Sequence, residues 1–266
     1  MHCSLIGVGK MGEAILKGLL PSVKKGQITL TGYEISPERK REIEEKYRLP
    51  LAYTLEESIT DAQVILIAVK PQQMKELLAQ MGSKTSNRLL ISIAAGIPSD
   101  FIQARVAPGT RIVRVMPNTP ALIGEGALAY SLGPNTTEED RETVRKLLTS
   151  LGTLVEVPEK LMDAVTALSG SGPAYVFLFL QALCDAGVKV GLPRDLAHTL
   201  ALKTMTGSLK LIEELQEHPA RMIEMVTSPG GTTIAALHTM ERAGFKGIIM
   251  DSVEAAARRS QELAKG

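Results

Sequence analysis

The chain has 266 residues, 44% hydrophobic and 22% charged, with a formal net charge of +1. That length suits two soluble domains, and the balanced charge gives no electrostatic footprint for nucleic acid or for an anionic membrane surface. Two cysteines exclude a disulfide framework, and four scattered histidines form no metal-ligand cluster.

The first predicted strand, residues 3–6, runs into Gly7-Val8-Gly9-Lys10-Met11-Gly12 and a helix through Leu20. In a dinucleotide fold the first glycine makes the tight turn, the second admits a pyrophosphate, and the third lets helix and strand pack closely. The alternative is a glycine turn without a ligand. Because the strand begins at once, the reading expects no signal peptide and, by elimination, a cytoplasmic location.

Strand and helix signals then alternate. Strands are predicted at 28–33, 64–69, 89–93, 111–115, 127–131 and 154–157. Helices are predicted at 13–20, 37–47, 72–81, 99–106 and 138–150. The run Val64-Ile65-Leu66-Ile67-Ala68-Val69 is continuously apolar, as expected of a parallel strand covered on both faces. The pattern predicts an α/β fold, a doubly wound Rossmann-type sheet over residues 1–159.

Ligands of open α/β sheets bind at the carboxyl ends of the strands. Glu34 stands at the tip of the second strand, where an acidic residue holds the adenosine ribose of NAD. Ser36 and Arg39 follow it and suit a 2′-phosphate instead, so NADH and NADPH both stay open. Ser36 also fits as a plain helix cap before Pro37. Ala68-Val69-Lys70-Pro71, Ala94-Ala95-Gly96 and Asn118 follow the next three strands and complete the candidate cofactor groove. Lys70 could equally be a solvated lysine, and Asn118 a turn former.

After Pro158 the strand signals stop, and residues 160–266 read as helices separated by Gly/Pro turns. No charged residue occurs between Asp163 and Asp185, but Gly170, Gly172 and Pro173 interrupt that stretch. What remains suits a buried helix rather than a membrane span. The apolar helix at 175–186 must be covered, which predicts a homo-oligomer built through the helical domain.

Two small-residue turns in this half feed helix N-termini. One is Ser169-Gly170-Ser171-Gly172-Pro173-Ala174. The other is Ser228-Pro229-Gly230-Gly231-Thr232-Thr233. Each offers backbone N–H groups at the positive end of a helix, with hydroxyls beside them, a setting suited to a small carboxylate. The alternative is a pair of independent interhelical turns, the second with an ordinary threonine cap. There is no Ser/His/Asp arrangement and no paired-carboxylate motif. A nicotinamide would carry the reducing chemistry, and a cationic imine needs no strong acid.

In this order, residues 7–12, 68–71, 94–96, 118–120, 169–174, 187–193 and 228–233 resemble the Δ1-pyrroline-5-carboxylate reductase family. The resemblance implies a Rossmann domain followed by a helical domain that dimerises, with dimers often assembling into decamers. It also implies NADPH or NADH as hydride donor and a site completed by a partner subunit. Lys70, Ala95 and Asn118 would line the cofactor groove. Ser171, Ser228, Gly230, Gly231, Thr232 and Thr233 would hold the substrate. The N–H groups of Gly231 and Thr232 would face its carboxylate, and Thr233 its imine nitrogen. This chain has Glu34-Ile35 where the family often carries a Ser-rich or Asn/Arg tip, and Leu55 where an Asn is often found. A β-hydroxyacid dehydrogenase shares the two-domain plan but needs a Gly-x-x-x-Lys helix that this chain lacks. A dinucleotide-binding scaffold would bind cofactor without turnover.

Overall fold

The computed structural model describes residues 1–265; residue 266, the end of the predicted second domain, lies outside them. Seven strands form one sheet in the order β2-β1-β3-β4-β5-β6-β7. They are β1 (His2–Ile6), β2 (Thr29–Tyr33), β3 (Val64–Ile67), β4 (Leu89–Ser92), β5 (Arg111–Met116), β6 (Gly126–Leu132) and β7 (Gly152–Glu156). β1 pairs in parallel with both β2 and β3, so strand order reverses between β1 and β3. That reversal opens a crevice at the carboxyl edge of the sheet.

All seven predicted strands are present, but the sheet is not wholly parallel. β6 runs antiparallel to β5, while β7 is parallel to β6. Only residues 117–125 join β5 to β6. A parallel crossover needs a dozen or more residues, so the chain turns back instead. β3 and β4 are buried along their whole length, as their apolar runs require.

The helices around the sheet are α1 (Lys10–Lys24), α2 (Pro37–Tyr47), α3 (Leu55–Ile59), α4 (Met74–Met81), α5 (Ser99–Gln103) and α6 (Glu138–Leu148). α1 starts earlier and ends later than its apolar periodicity indicates, running past Pro21. α3 has no counterpart among the predicted helices. Thr54 caps it by accepting the Glu57 N–H, and Ser58 bonds Ser4 of β1 at 2.6 Å with both hydroxyls buried.

The structure divides into two compact units. The first is Met1–Ser171 together with the described residues from 255 onward, and the second is Gly172–Glu254. This division falls later than the sequence division at residue 159. The extra segment has partners in the sheet unit: Glu159 accepts from Arg114 at 2.7 Å and from the Ser99 N–H at 2.8 Å. It contains α7 (Met162–Val165) and a π-type turn over Thr166–Gly170. Asp163 accepts from Ser260, which ties the last turns of the chain to this unit.

The second unit is all helical: α8 (Gly172–Lys189), α9 (Arg194–Leu215), α10 (Pro219–Met225), α11 (Thr232–Arg242) and the first part of α12 (Phe245–Lys265), through Glu254. α8 and α9 approach closely where Gly187 meets Ala197, and Phe179 packs on Phe245 with centroids 5.9 Å apart. Val176, Phe177 and Leu178 of α8 are exposed within the chain, as are Leu200 and Leu209 of α9.

The glycine-rich loop between β1 and α1 is fastened to the tip of β2. The Val8 N–H donates to Glu34 Oε2 at 2.7 Å, and the Val8 carbonyl accepts from Arg39 Nε at 2.8 Å. Arg39 in turn meets Glu13 at 2.5 Å and Glu42 at 2.7 Å. Glu13 also accepts from Lys46 and from the Tyr47 hydroxyl, each at 2.7 Å. Burial alone would raise the Glu13 carboxyl. Hydrogen bonds from Lys46, Tyr47 and Arg39 outweigh it and pull the group down to about 2.

A carboxyl depressed on folding stabilises the native state above its unfolded pKa, and that stabilisation is lost as pH falls through the folded value. Glu13→Gln is therefore expected to lower unfolding free energy by about 2 kcal/mol at neutral pH. The gap should narrow from about pH 4.5 downward and close near pH 2. Urea titrations of both proteins across this range measure it. A variant equal to wild type at pH 7 would show that the Glu13 cluster does not stabilise the fold.

Candidate active site

A cleft of about 280 Å³ lies at the β1/β3 reversal. Gly7 and Gly9 line it from the first loop, Tyr33, Glu34 and Ile35 from the tip of β2, and Ala68, Val69 and Lys70 from the end of β3. Gln73, Glu76, Leu77 and Gln80 complete it from the turn before α4 and from α4 itself. The motif residues at these three strand ends thus meet in one place, as their spacing predicts.

The three glycines of the loop differ in what demands them. Gly7 has φ +84, a conformation that side chains rarely adopt, and a Cβ there would press on the Ala68 carbonyl. A Cβ on Gly12 would overlap the Gly7 carbonyl oxygen, so the closeness of helix and strand requires glycine. Gly9 has φ −65 and ψ −166, ordinary extended backbone, and a Cβ there would meet nothing within 4 Å. Neither conformation nor protein packing calls for glycine at 9. It faces the cleft at the N-terminus of α1, where no side chain caps the helix. A dinucleotide pyrophosphate held on the free N–H groups of that helix fits this geometry.

Of the remaining first-loop residues, Val8 is fully buried, while Lys10 and Met11 belong to the first turn of α1 outside the cleft lining. Ser36 is not part of the lining. Its Oγ accepts the Arg39 N–H and caps α2, and its own N–H donates to Glu34 Oε1 at 3.0 Å. Lys70 is exposed at the cleft and has no ion-pair partner among the described residues. Pro71 opens the short turn that leads into α4.

Ala94, Ala95 and Gly96 follow β4 along the same carboxyl edge, outside the cleft lining; Gly96 turns the chain with φ +71. Asn118 follows β5 and is 8% exposed. Its amide Nδ2 donates to the Ser169 carbonyl at 3.1 Å, and its Oδ1 accepts the Ala127 N–H at 2.9 Å. The Asn118 side chain therefore faces protein partners and fixes the π-type turn before Ser171. Ser171 donates its N–H to the Thr166 carbonyl at 2.9 Å and stays half-exposed.

In the helical unit the turn at residues 228–231 closes through Gly231, whose N–H donates to the Ser228 carbonyl at 3.1 Å. That bond engages the Gly231 N–H within the turn. Gly230 has φ +67, and a Cβ on Gly231 would collide with Ser228 Oγ. The chain enters α11 at Thr232 without a side-chain cap. Neither threonine hydroxyl serves as the cap that an ordinary helix start would use. The first N–H groups of this helix, from Thr232 onward, lack intrahelical partners. Thr232 is exposed and Thr233 half-exposed.

Sequence reasoning missed the α4 wall of the cleft. Gln73, Glu76, Leu77 and Gln80 recur at helical spacing on one face, and the signal was readable once a helix was placed directly after the β3 turn.

Residues 159–263 match the family model described as pyrroline-5-carboxylate reductase dimerisation. Residues 3–96 match one described as NADP oxidoreductase, coenzyme F420-dependent. The chain is 42% identical to a pyrroline-5-carboxylate reductase of Arabidopsis thaliana over 261 residues, covering 98% of this chain and 94% of that one. It is 42% identical to the Synechocystis protein of the same name over 265 residues, covering 100% and 99%. The crystal structure of Plasmodium falciparum pyrroline carboxylate reductase with NADP bound superposes with a TM-score of 0.88 at 34% identity, covering 99% and 98%. By full-length likeness through both of its units, the chain belongs to the pyrroline-5-carboxylate reductase family.

Proposed function

We infer that the protein reduces the imine carbon of 1-pyrroline-5-carboxylate to give L-proline, using a reduced nicotinamide dinucleotide. The observation that carries this reading is the likeness to reductases of that name along the entire chain, the sheet unit and the helical unit alike. When bound, the dinucleotide supplies the hydride. The protein holds and orients the reactants. The loop at Gly7 and Gly9, with the N-terminus of α1, receives the pyrophosphate, and Glu34 faces the ribose. Ala68, Val69 and Lys70 form the opposite wall. Asn118 acts one step removed, by fixing the turn that presents Ser171.

In the helical unit the uncapped start of α11 supplies the anion site. The N–H groups from Thr232 onward hold the substrate carboxylate, and the Thr233 hydroxyl is placed for the imine nitrogen. Catalysis is then largely positioning, with an electrostatic contribution from oriented donors. The exposed apolar side chains of α8 and α9 make the contact with a second subunit. The stretch Glu159–Lys189 is long and apolar enough to cross a membrane by length and composition. All of it falls within the matched dimerisation segment, so a second copy of the chain is the cover this reading assigns to it.

Oxidation of reduced dinucleotide on adding pyrroline-5-carboxylate tests the reaction. Thr233→Ala should lower kcat/KM by about 10- to 1000-fold, the scale of losing one oriented hydrogen bond in a closed site. Thr233→Ser should keep much of the activity. If Thr233→Ala instead loses about 1 kcal/mol of stability with intact turnover, the residue is a structural element of the helix start only.

Gly9→Val should fold with a near-native melting temperature, since its side chain would meet open space, yet lose dinucleotide binding by about tenfold or more. Unchanged affinity in calorimetric titration would show that nothing approaches the loop at Gly9. Light scattering at micromolar concentration should give the mass of a dimer or of assembled dimers. A monomer mass would contradict the subunit contact.

A further inference from the structure

The tip of β2 presents a carboxylate to the cleft, while Arg39 of α2 is engaged by other partners. Glu34 lines the cleft, and each of its oxygens is fixed by one backbone N–H, from Val8 and from Ser36. An ionised carboxylate offers about four acceptor positions, so Glu34 retains capacity for a hydroxyl donor. The three cations at the start of α2 each have a partner outside the cleft lining. Arg39 is held by the Val8 carbonyl, Glu13 and Glu42. Lys40 Nζ donates to the Ala52 carbonyl at 3.1 Å and stands 3.9 Å from the centre of the Tyr53 ring. Arg41 Nε donates to the Pro37 carbonyl at 3.4 Å.

Ser36 does not offset this, since its oxygen caps α2 and Glu38 adds negative charge to the same first turn. In dinucleotide folds this tip meets the ribose that carries either a 2′-hydroxyl or a 2′-phosphate. A hydroxyl donates to Glu34. A phosphate places like charge beside it while Arg39 stays engaged and Lys70 stands on the opposite wall of the cleft, which is costly in a partly desolvated site.

We propose that this cleft selects the unphosphorylated dinucleotide, NADH over NADPH, with Glu34 as the discriminating residue. The proposal rests on the reading of the cleft as a dinucleotide site. Arg39 is the reason the choice is firm. Freeing it to meet a phosphate would break the Glu13 pair and release the Val8 carbonyl, which loosens the loop that holds the pyrophosphate.

Isothermal titration calorimetry of the full-length protein with NAD+ and with NADP+ tests this without turnover. Wild type is expected to bind NAD+ about tenfold or more tightly than NADP+. Glu34→Gln keeps an acceptor for one of the two N–H groups and removes the charge. Glu34→Ser removes both. Each variant is expected to shift the ratio toward NADP+ by about tenfold. Equal binding by wild type, tighter NADP+ binding, or a ratio unmoved in Glu34→Gln would each overturn the proposal while leaving the dinucleotide site intact. Binding of neither dinucleotide to the folded protein would overturn the functional reading, and this proposal with it. The wild-type ratio decides the matter even if a variant fails to fold.

Discussion

The backbone of Val8 is gripped at both its N–H and its carbonyl by charged groups at the tip of the neighbouring strand and on the helix after it. Glu34 takes its N–H and Arg39 its carbonyl, so the glycine-rich loop cannot shift relative to the tip of β2. Hydrogen bonds to charged groups are stronger than neutral ones and hold their geometry better. The grip exists because Glu13, on α1, anchors the Arg39 guanidinium while itself receiving Lys46 and Tyr47. Three elements, α1, β2 and α2, are thereby joined around one residue. The shape of the cleft follows, because its floor is this loop and its rim is this strand tip.

The same ionic cluster accounts for the charge character of the cleft. Arg39 would be an available phosphate ligand if Glu13 and Glu42 were absent. Once its donors are engaged by carboxylates and a carbonyl, it acts as a fastener, and Glu34 sets the sign of the field at the rim. The helical unit follows a different logic. Its donors are backbone N–H groups at the start of α11, presented because Gly230 and Gly231 turn the chain there and no side chain caps the helix. Backbone donors carry no titratable charge, and their direction is set by the helix axis.

The fold was legible in the sequence because its signals are local. Seven strands read correctly from apolar runs and turn residues, and the start of α2 from Ser36-Pro37. What was not legible depends on partners distant in the chain. The reversal of β6 follows from the length of the 117–125 connection, a constraint that periodicity does not carry. The placement of residues 159–171 with the sheet follows from Glu159 meeting Arg114 and Ser99, and from Asn118 meeting Ser169. Asn118 shows the limit most clearly. A short polar residue after a strand end reads as a ligand or a turn former, and only the folded chain reveals an amide satisfied on both sides by backbone. The Thr54-to-Glu57 pattern before α3 was present in the sequence and went unused.

Glycines separate into those the protein needs for itself and those it keeps for something else. Gly7 and Gly12 are explained within the chain, one by its positive φ and the other by a carbonyl where a Cβ would stand. Gly231 is explained in the same way by Ser228. Gly9 has no such internal reason: its backbone is ordinary, its surroundings are open, and it lines the cleft. A glycine in a helix start lowers stability relative to residues that cap, since it orders more backbone entropy and supplies no acceptor. Retaining it where neither strain nor crowding demands it is intelligible if a group from outside the chain must come within backbone distance.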